Sequence, residues 1–221
     1  IFYEQFEVQS FIYSKKQKIS GFHGVQKGKK RQILAKQILN TTGSWTNQLY
    51  QKAHINNTTA LVSPTKGVHL VLPNMGLKQA CILEHPQDQR IFFVIPWQNK
   101  TLVGTTDTPY KGHPDAVCVA TCDVDYLFEG FYSYFSASQL TKKDILDRFV
   151  GLRPLAYSNS SASYRKRDFV LHRCTQTDLV SLYGGKYTTY RAMAEHTVDY
   201  IIKKNDFSGL KPCETAMTLL P

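Results

Sequence analysis

The sequence predicts an α+β chain of the mixed α/β kind, with an antiparallel sheet and flanking helices in its middle. Three observations carry this. From residue 61 to residue 105, short apolar runs alternate with turn formers, as antiparallel strands do. Residues 126–135 and 188–203 instead repeat apolar side chains at helical spacing. Between them, residues 179–191 read as strand, two-glycine turn and helix.

The elements follow in order. Residues 5–13 alternate, with Phe6, Val8, Phe11 and Tyr13 as the main apolar positions, so they form a strand. Residues 19–25 and 32–40 are further strands, and the short polar turn after the first makes a meander. Asn40-Thr41-Thr42-Gly43 breaks the run, and residues 46–54 form a short helix. Strands are expected over 68–72, 80–83, 91–97 and 100–105, with Gln98-Asn99 in a tight hairpin turn. An aromatic-rich helix covers 126–135. Thr141 and Asp144 have the capping spacing of a second helix start. Residues 149–153, 169–171 and 179–183 are the last strands. A terminal helix over 188–203 buries Tyr190, Met193, Ala194, Val198 and Ile201, and the tail from residue 205 has no period.

Length and charge bound the class. A chain of 221 residues can bury one core or two. No apolar run reaches 18 residues, so no stretch reads as a transmembrane helix. The chain opens on Ile1, directly in a strand pattern, which leads us to expect that it begins inside a longer protein. Five scattered cysteines fit reduced thiols in the cytoplasm better than a disulfide framework. Cys118 and Cys122 lack the further ligands zinc needs, so no metal site is expected. Net charge is +10, with basic clusters at 15–18 and 27–31 that read as hairpin loops. Such loops suit solvent or an anionic membrane surface; no nucleic-acid motif accompanies them.

Four segments carry more specific information: Pro64-Thr65-Lys66-Gly67-Val68-His69-Leu70, the run from Phe93 through Val103-Gly104-Thr105-Thr106-Asp107, Gly151-Leu152-Arg153-Pro154, and Tyr183-Gly184-Gly185-Lys186-Tyr187-Thr188-Thr189. In order and spacing they resemble the FAD-dependent glycerol-3-phosphate dehydrogenases, over roughly residues 6–203. The resemblance implies an antiparallel substrate domain over 47–149 and an incomplete FAD-binding domain over 1–46 and 150–203, with 204–221 as a tail. The G-x-G-x-x-G phosphate fingerprint of that family is absent from this sequence, and Ser44 stands where the family usually has Pro.

Oxidising a secondary alcohol needs a base, a hydride acceptor and cations for the phosphate. The resemblance makes FAD the acceptor and sn-glycerol 3-phosphate the substrate, with dihydroxyacetone phosphate as product. Electrons pass on to quinone, or to oxygen in oxidase relatives. It also implies a cytoplasmic enzyme that can rest on the inner membrane, with a homo-oligomer allowed. His69 is the candidate base, because imidazole titrates near working pH. Arg153 is grouped with it as catalytic. Arg90, Arg153, Arg167 and Lys186 are the candidate phosphate cations. Thr42, Gly43, Gly184, Gly185, Lys186 and Thr188 are the candidate FAD contacts, where glycine lets backbone approach a flat ring. Thr105, Thr106 and Asp107 end a hairpin strand and order the site. The alternative reading is a non-catalytic domain that binds a phosphorylated ligand or partner without holding FAD.

Overall fold

The computed structural model describes residues 2–55, 60–157 and 168–218. They divide into two compact units. One holds the described residues up to 62, then 155–157 and those from 168 onward; the other holds 63–154. The limits therefore fall after 62 and 154, not after 46 and 149. The segment from 47 to 62 stays with the first unit because Tyr50, Ala53 and Ile55 bury themselves against Ile19, Cys174 and Leu179 there.

In the first unit, β1 (Phe6–Tyr13), β2 (Ile19–Gln26) and β3 (Lys29–Leu34) form an antiparallel meander. The β2–β3 turn is only Lys27-Gly28, both with positive φ, which matches the twist of paired strands. Lys29, Lys30 and Arg31 are thus strand residues, opposite Gln26, Val25 and Gly24, and not a loop. The turn carrying Lys15 and Lys16 sits at the other end of β2, so the two basic clusters do not merge into one patch.

The strand expected over 32–40 is divided. Its last residues form a separate strand, β4 (Leu39–Asn40), in another sheet. The chain turns between them because Ala35 N–H bonds the Ser20 carbonyl at 3.0 Å and Gln37 donates to the Asp178 carbonyl at 2.8 Å. Helix α1 (Thr46–Lys52) follows.

The second unit is a six-stranded sheet. Its strands are β5 (Thr65–Pro73), β6 (Cys81–Glu84), β7 (Ile91–Trp97), β8 (Lys100–Gly104), β9 (Thr108–Pro109) and β10 (Asp147–Arg153). The order is β10-β5-β8-β7-β6, all antiparallel, with β9 also pairing β5. Gln98 and Asn99 both take positive φ, as the hairpin expectation requires. Val68, Leu70, Leu72, Phe92, Val94 and Val103 form one core with Val124, Leu127, Phe128 and Phe131 of α2 (Thr121–Tyr134). Each such buried side chain contributes about 1.5–3 kcal/mol from area removed from water.

Helix α2 starts five residues before the expected position. Thr121 to Asp125 are poor helix formers, but Asp123 accepts the Ala120 N–H at 2.8 Å and receives Lys66 Nζ at 2.5 Å. The second helix expected at Thr141 is a single 3₁₀ turn, Lys142–Asp144. Its capping bonds form, from Thr141 N–H to Asp144 at 2.7 Å, but β10 claims the residues that would extend it.

The Lys66–Asp123 pair is deeply placed, with side chains 13% and 2% exposed. Changing Lys66 to Met leaves the Asp123 charge buried and is expected to cost about 3–5 kcal/mol. Urea midpoints check this, and the Lys66→Met, Asp123→Asn double variant should recover part of the loss.

The remaining elements return to the first unit. They are β11 (Phe169–Arg173), β12 (Val180–Gly184) and α3 (Tyr190–Lys204). β11 pairs β12 antiparallel, and β12 pairs β4 in parallel, Val180 opposite Leu39 and Ser181 opposite Asn40. A 3₁₀ turn, Tyr187–Thr189, precedes α3, so the α-helix begins two residues after Thr188. Its buried position is Thr197, not Val198, which is 50% exposed, or Tyr190, at 58%. Burying the threonine is cheap because its hydroxyl donates to the Met193 carbonyl at 2.7 Å. All five cysteines are free. Among the described residues no helix is long and apolar enough to cross a membrane.

Candidate active site

β5 sorts its side chains by the two-residue period of a strand. Lys66, Val68, Leu70 and Leu72 face α2 and its core. Gly67 and His69 lie on the other face. There the register of β10 sets Phe149 opposite His69, Gly151 opposite Gly67, and Arg153 opposite Thr65. The Phe149 ring stacks on the His69 ring, with centroids 5.0 Å apart and planes 14° from parallel. The Arg153 guanidinium lies across Gly67, where a Cβ would come within 2.5 Å of it. On the opposite flank His69 pairs with Gly104, and a Cβ there would meet the imidazole at 2.4 Å. Two glycines thus make the room that brings an imidazole and a guanidinium side by side.

The sheet edge beyond Gly104 then peels away. β8 stops pairing at His69, β9 resumes at Lys66, and Thr106 fills the gap. Its Oγ1 accepts the Val68 N–H at 3.0 Å, replacing a ladder bond with a side-chain bond. The loop this creates holds Arg153. One Nη donates to the Thr106 carbonyl at 3.2 Å and to the Asp107 carboxylate at 3.1 Å, and the other to Thr105 Oγ1 at 2.9 Å. Burial, then the positive charge of Arg153, pushes the His69 pKa below the ordinary imidazole value. A neutral imidazole beside a fixed cation can accept a proton from a bound alcohol while the cation holds an anionic substituent.

Arg90 belongs to the same unit, but its guanidinium turns to protein groups: Asp88 through Nε at 3.3 Å and the Asp107 carbonyl through an Nη. A cavity of about 520 Å³ adjoins it, lined by Asp88, Asp107, Asp123, Asp125 and Glu129 as well as Arg90. Its carboxylates disfavour a phosphate dianion, and His69 and Arg153 are not in its lining, so the chemistry is not placed there. Arg167 lies outside the described residues.

The candidate cofactor residues gather in the other unit. β4 and β12 run parallel and adjacent, so Thr42-Gly43 and Gly184-Gly185 leave from their carboxyl ends on the same side of the sheet. That is where open parallel sheets bind ligands. Gly184 and Gly185 both have φ of +78°, a backbone that only glycine adopts without strain. Thr42 is held by Asn40, whose Oδ1 accepts its N–H at 3.0 Å and its hydroxyl at 2.7 Å. Asn40 in turn donates to Ser181 at 3.2 Å, and Ser181 to the Tyr50 hydroxyl at 3.2 Å. Lys186 and Thr188 are exposed, and among the described residues no acid pairs with Lys186.

Glycine at these two turns leaves backbone that a flat group can approach. A family model described as "FAD dependent oxidoreductase" matches residues 1–200. The chain belongs to the FAD dependent oxidoreductase family. It is 34% identical over 203 residues to the aerobic glycerol-3-phosphate dehydrogenase of Escherichia coli (strain K12), covering 89% of this chain and 40% of that protein. It is 37% identical over 194 residues to the aerobic glycerol-3-phosphate dehydrogenase of Bacillus subtilis (strain 168), covering 85% and 34%. The chain therefore spans well under half the length of these relatives. The glycerol-3-phosphate dehydrogenase of Bacillus halodurans, solved in complex with FAD, superposes with a TM-score of 0.82 at 32% identity, over 96% of this chain and 40% of that one.

Reading the sequence missed Asp123, the buried partner of Lys66, and the clamp that Asp88 and Arg90 place on Asp107. The first had a signal, an acid three residues past Ala120 at a helix start. The second had half of one: Asp88 and Arg90 are two residues apart and bond locally, but only tertiary pairing brings Arg90 to Asp107.

Proposed function

We propose that this chain is the substrate-side part, with a portion of the cofactor domain, of a protein that oxidises sn-glycerol 3-phosphate to dihydroxyacetone phosphate. The observation that carries the reading is the pairing of His69 with Arg153 on one sheet face, a neutral base beside a fixed guanidinium. The names of the relatives support the substrate. FAD supplies the hydride acceptor when bound. His69 takes the hydroxyl proton at a ring nitrogen, and Arg153 holds the phosphate. Lys186 is a further candidate cation for the phosphate. Thr42, Gly43, Gly184, Gly185 and Thr188 hold the flavin end of the cofactor.

The residues for the cofactor's pyrophosphate are a different matter. No G-x-G-x-x-G run occurs among the 221 residues, which favours the second reading, a domain that does not retain FAD by itself. Absorbance spectra separate the two. In the longer protein that contains this chain, a bound flavin band should bleach on adding sn-glycerol 3-phosphate and not on adding glycine. The isolated chain should show no bound flavin after desalting. A flavin that glycerol 3-phosphate leaves oxidised would sink the substrate assignment.

Electrons then pass to a quinone, and the enzyme rests on an anionic inner-membrane surface. The net charge of +10 supports this, and the exposed β2–β3 end with Lys27, Lys29, Lys30 and Arg31 is the segment available to it. Salt-sensitive sedimentation with anionic vesicles, and faster turnover with quinone than with oxygen, are expected.

A further inference from the structure

We propose that Arg90 is a positioning residue that sets Arg153 through Asp107, and not a ligand of the substrate. The inference rests on the reading of Arg153 as the phosphate-holding residue.

Asp107 is gripped at both ends. Its carbonyl accepts from Arg90, and its carboxylate accepts from Arg153 at 3.1 Å. The segment between Gly104 and Thr108 has left the β-ladder, so its path is not fixed by strand pairing. Yet this segment supplies three acceptors that orient the Arg153 guanidinium. Something else must fix it. Thr106 does so on the β5 side, through Val68. Arg90 does so on the other.

Arg90 is itself anchored. Asp88 receives its Nε at 3.3 Å and its backbone N–H at 3.2 Å. The second support of Asp88 is the Tyr126 hydroxyl, at 2.9 Å. The Tyr126 ring stacks on His85, with centroids 3.7 Å apart, and His85 is only 1% exposed. The clamp therefore ends in the packed contact between α2 and the β6–β7 turn. A planar fork is required at its centre. One edge of the guanidinium meets a carboxylate and another meets a carbonyl, and a single ammonium cannot reproduce both directions.

The test uses the longer, FAD-loaded protein with Arg90→Lys, Arg90→Gln and Asp88→Asn, each also combined with Arg153→Lys. Positioning predicts that Arg90→Lys loses nearly as much kcat/KM as Arg90→Gln, about a hundred-fold, since a shift of roughly 1 Å costs that much. Asp88→Asn should follow in the same direction. Each should add little once Arg153 is already lysine, because the effect runs through Arg153. Hydrogen exchange of amides 105–108 should quicken about tenfold in Arg90→Lys, the worth of one lost hydrogen bond.

A substrate ligand would behave otherwise. Arg90→Lys would keep most of the activity, the losses would add to those of Arg153→Lys, and exchange at 105–108 would not change; any of these overturns the proposal. If the wild-type protein does not oxidise glycerol 3-phosphate, the proposed function fails on its own. The exchange measurement then still decides whether Arg90 holds the loop. Arg90→Lys and Asp88→Asn keep the test open should Arg90→Gln fold poorly.

Discussion

Replacing His69 with glutamine in the longer, FAD-loaded protein is expected to lower kcat/KM for glycerol 3-phosphate by about 10²- to 10⁴-fold, the usual contribution of a general base. Glutamine keeps a polar group under Phe149 and against Gly104, so the sheet should survive. The pH profile is the sharper check. In the wild type, burial and then Arg153 hold the His69 pKa below its ordinary value. The base is therefore already neutral through the neutral range. kcat/KM should rise with pH only on the acid side of about 6.5 and be flat above it. The variant should lack that limb. A profile unchanged by the substitution would remove His69 from the proton transfer.

The same shift has a consequence for stability. Between the lowered folded value and the unfolded value near 6.5, the unfolded chain binds more protons than the folded one. Stability is therefore full above that window and falls as pH drops through it. His172, also lowered by burial, acts in the same direction.

Replacing Arg153 with methionine is expected to lower kcat/KM by about 10²- to 10³-fold, the range for truncating one member of a partly buried, hydrogen-bonded charge pair. Two effects are mixed in that number. Under the proposed function the substrate loses its cation. In addition the Asp107 carboxylate, 12% exposed, loses its counter-charge, which destabilises the fold. Asp107→Asn separates them. In the Arg153→Met background it should restore the melting temperature and leave kcat/KM low. If it restores both, Arg153 serves only to hold the loop. Relief from the Arg153 charge should also let the His69 pKa climb partway back toward its ordinary value, moving the acid limb of the profile upward.

Most of the strands were legible, because their signals are local. Alternation marked β1 and β2, and Gln98-Asn99 marked the turn between β7 and β8. The errors fall where distant groups set the outcome. Helix α2 begins early because Asp123 finds Lys66, 57 residues away in sequence. The strand expected over 32–40 splits because Gln37 bonds Asp178, 141 residues away. The capping signal at Thr141 was real and its bonds form, yet pairing with β5 ended the helix after one turn.

The chain's own residues determined the family resemblance, the two-glycine turn and the choice of His69 and Arg153, because each is written in a short contiguous motif whose chemistry is local. Only the tertiary structure decided what those residues touch. Sheet register put Phe149 and Gly104 on either side of His69 and laid Arg153 over Gly67. Parallel pairing of β4 with β12 brought Thr42-Gly43 and Gly184-Gly185 to one sheet edge across 141 residues of sequence. Folding of the second unit set the Arg90 guanidinium against Asp88 and the Asp107 carbonyl. A side chain's type follows from the sequence at its own position. Its partners follow from pairing between strands far apart in the chain, which no local pattern encodes.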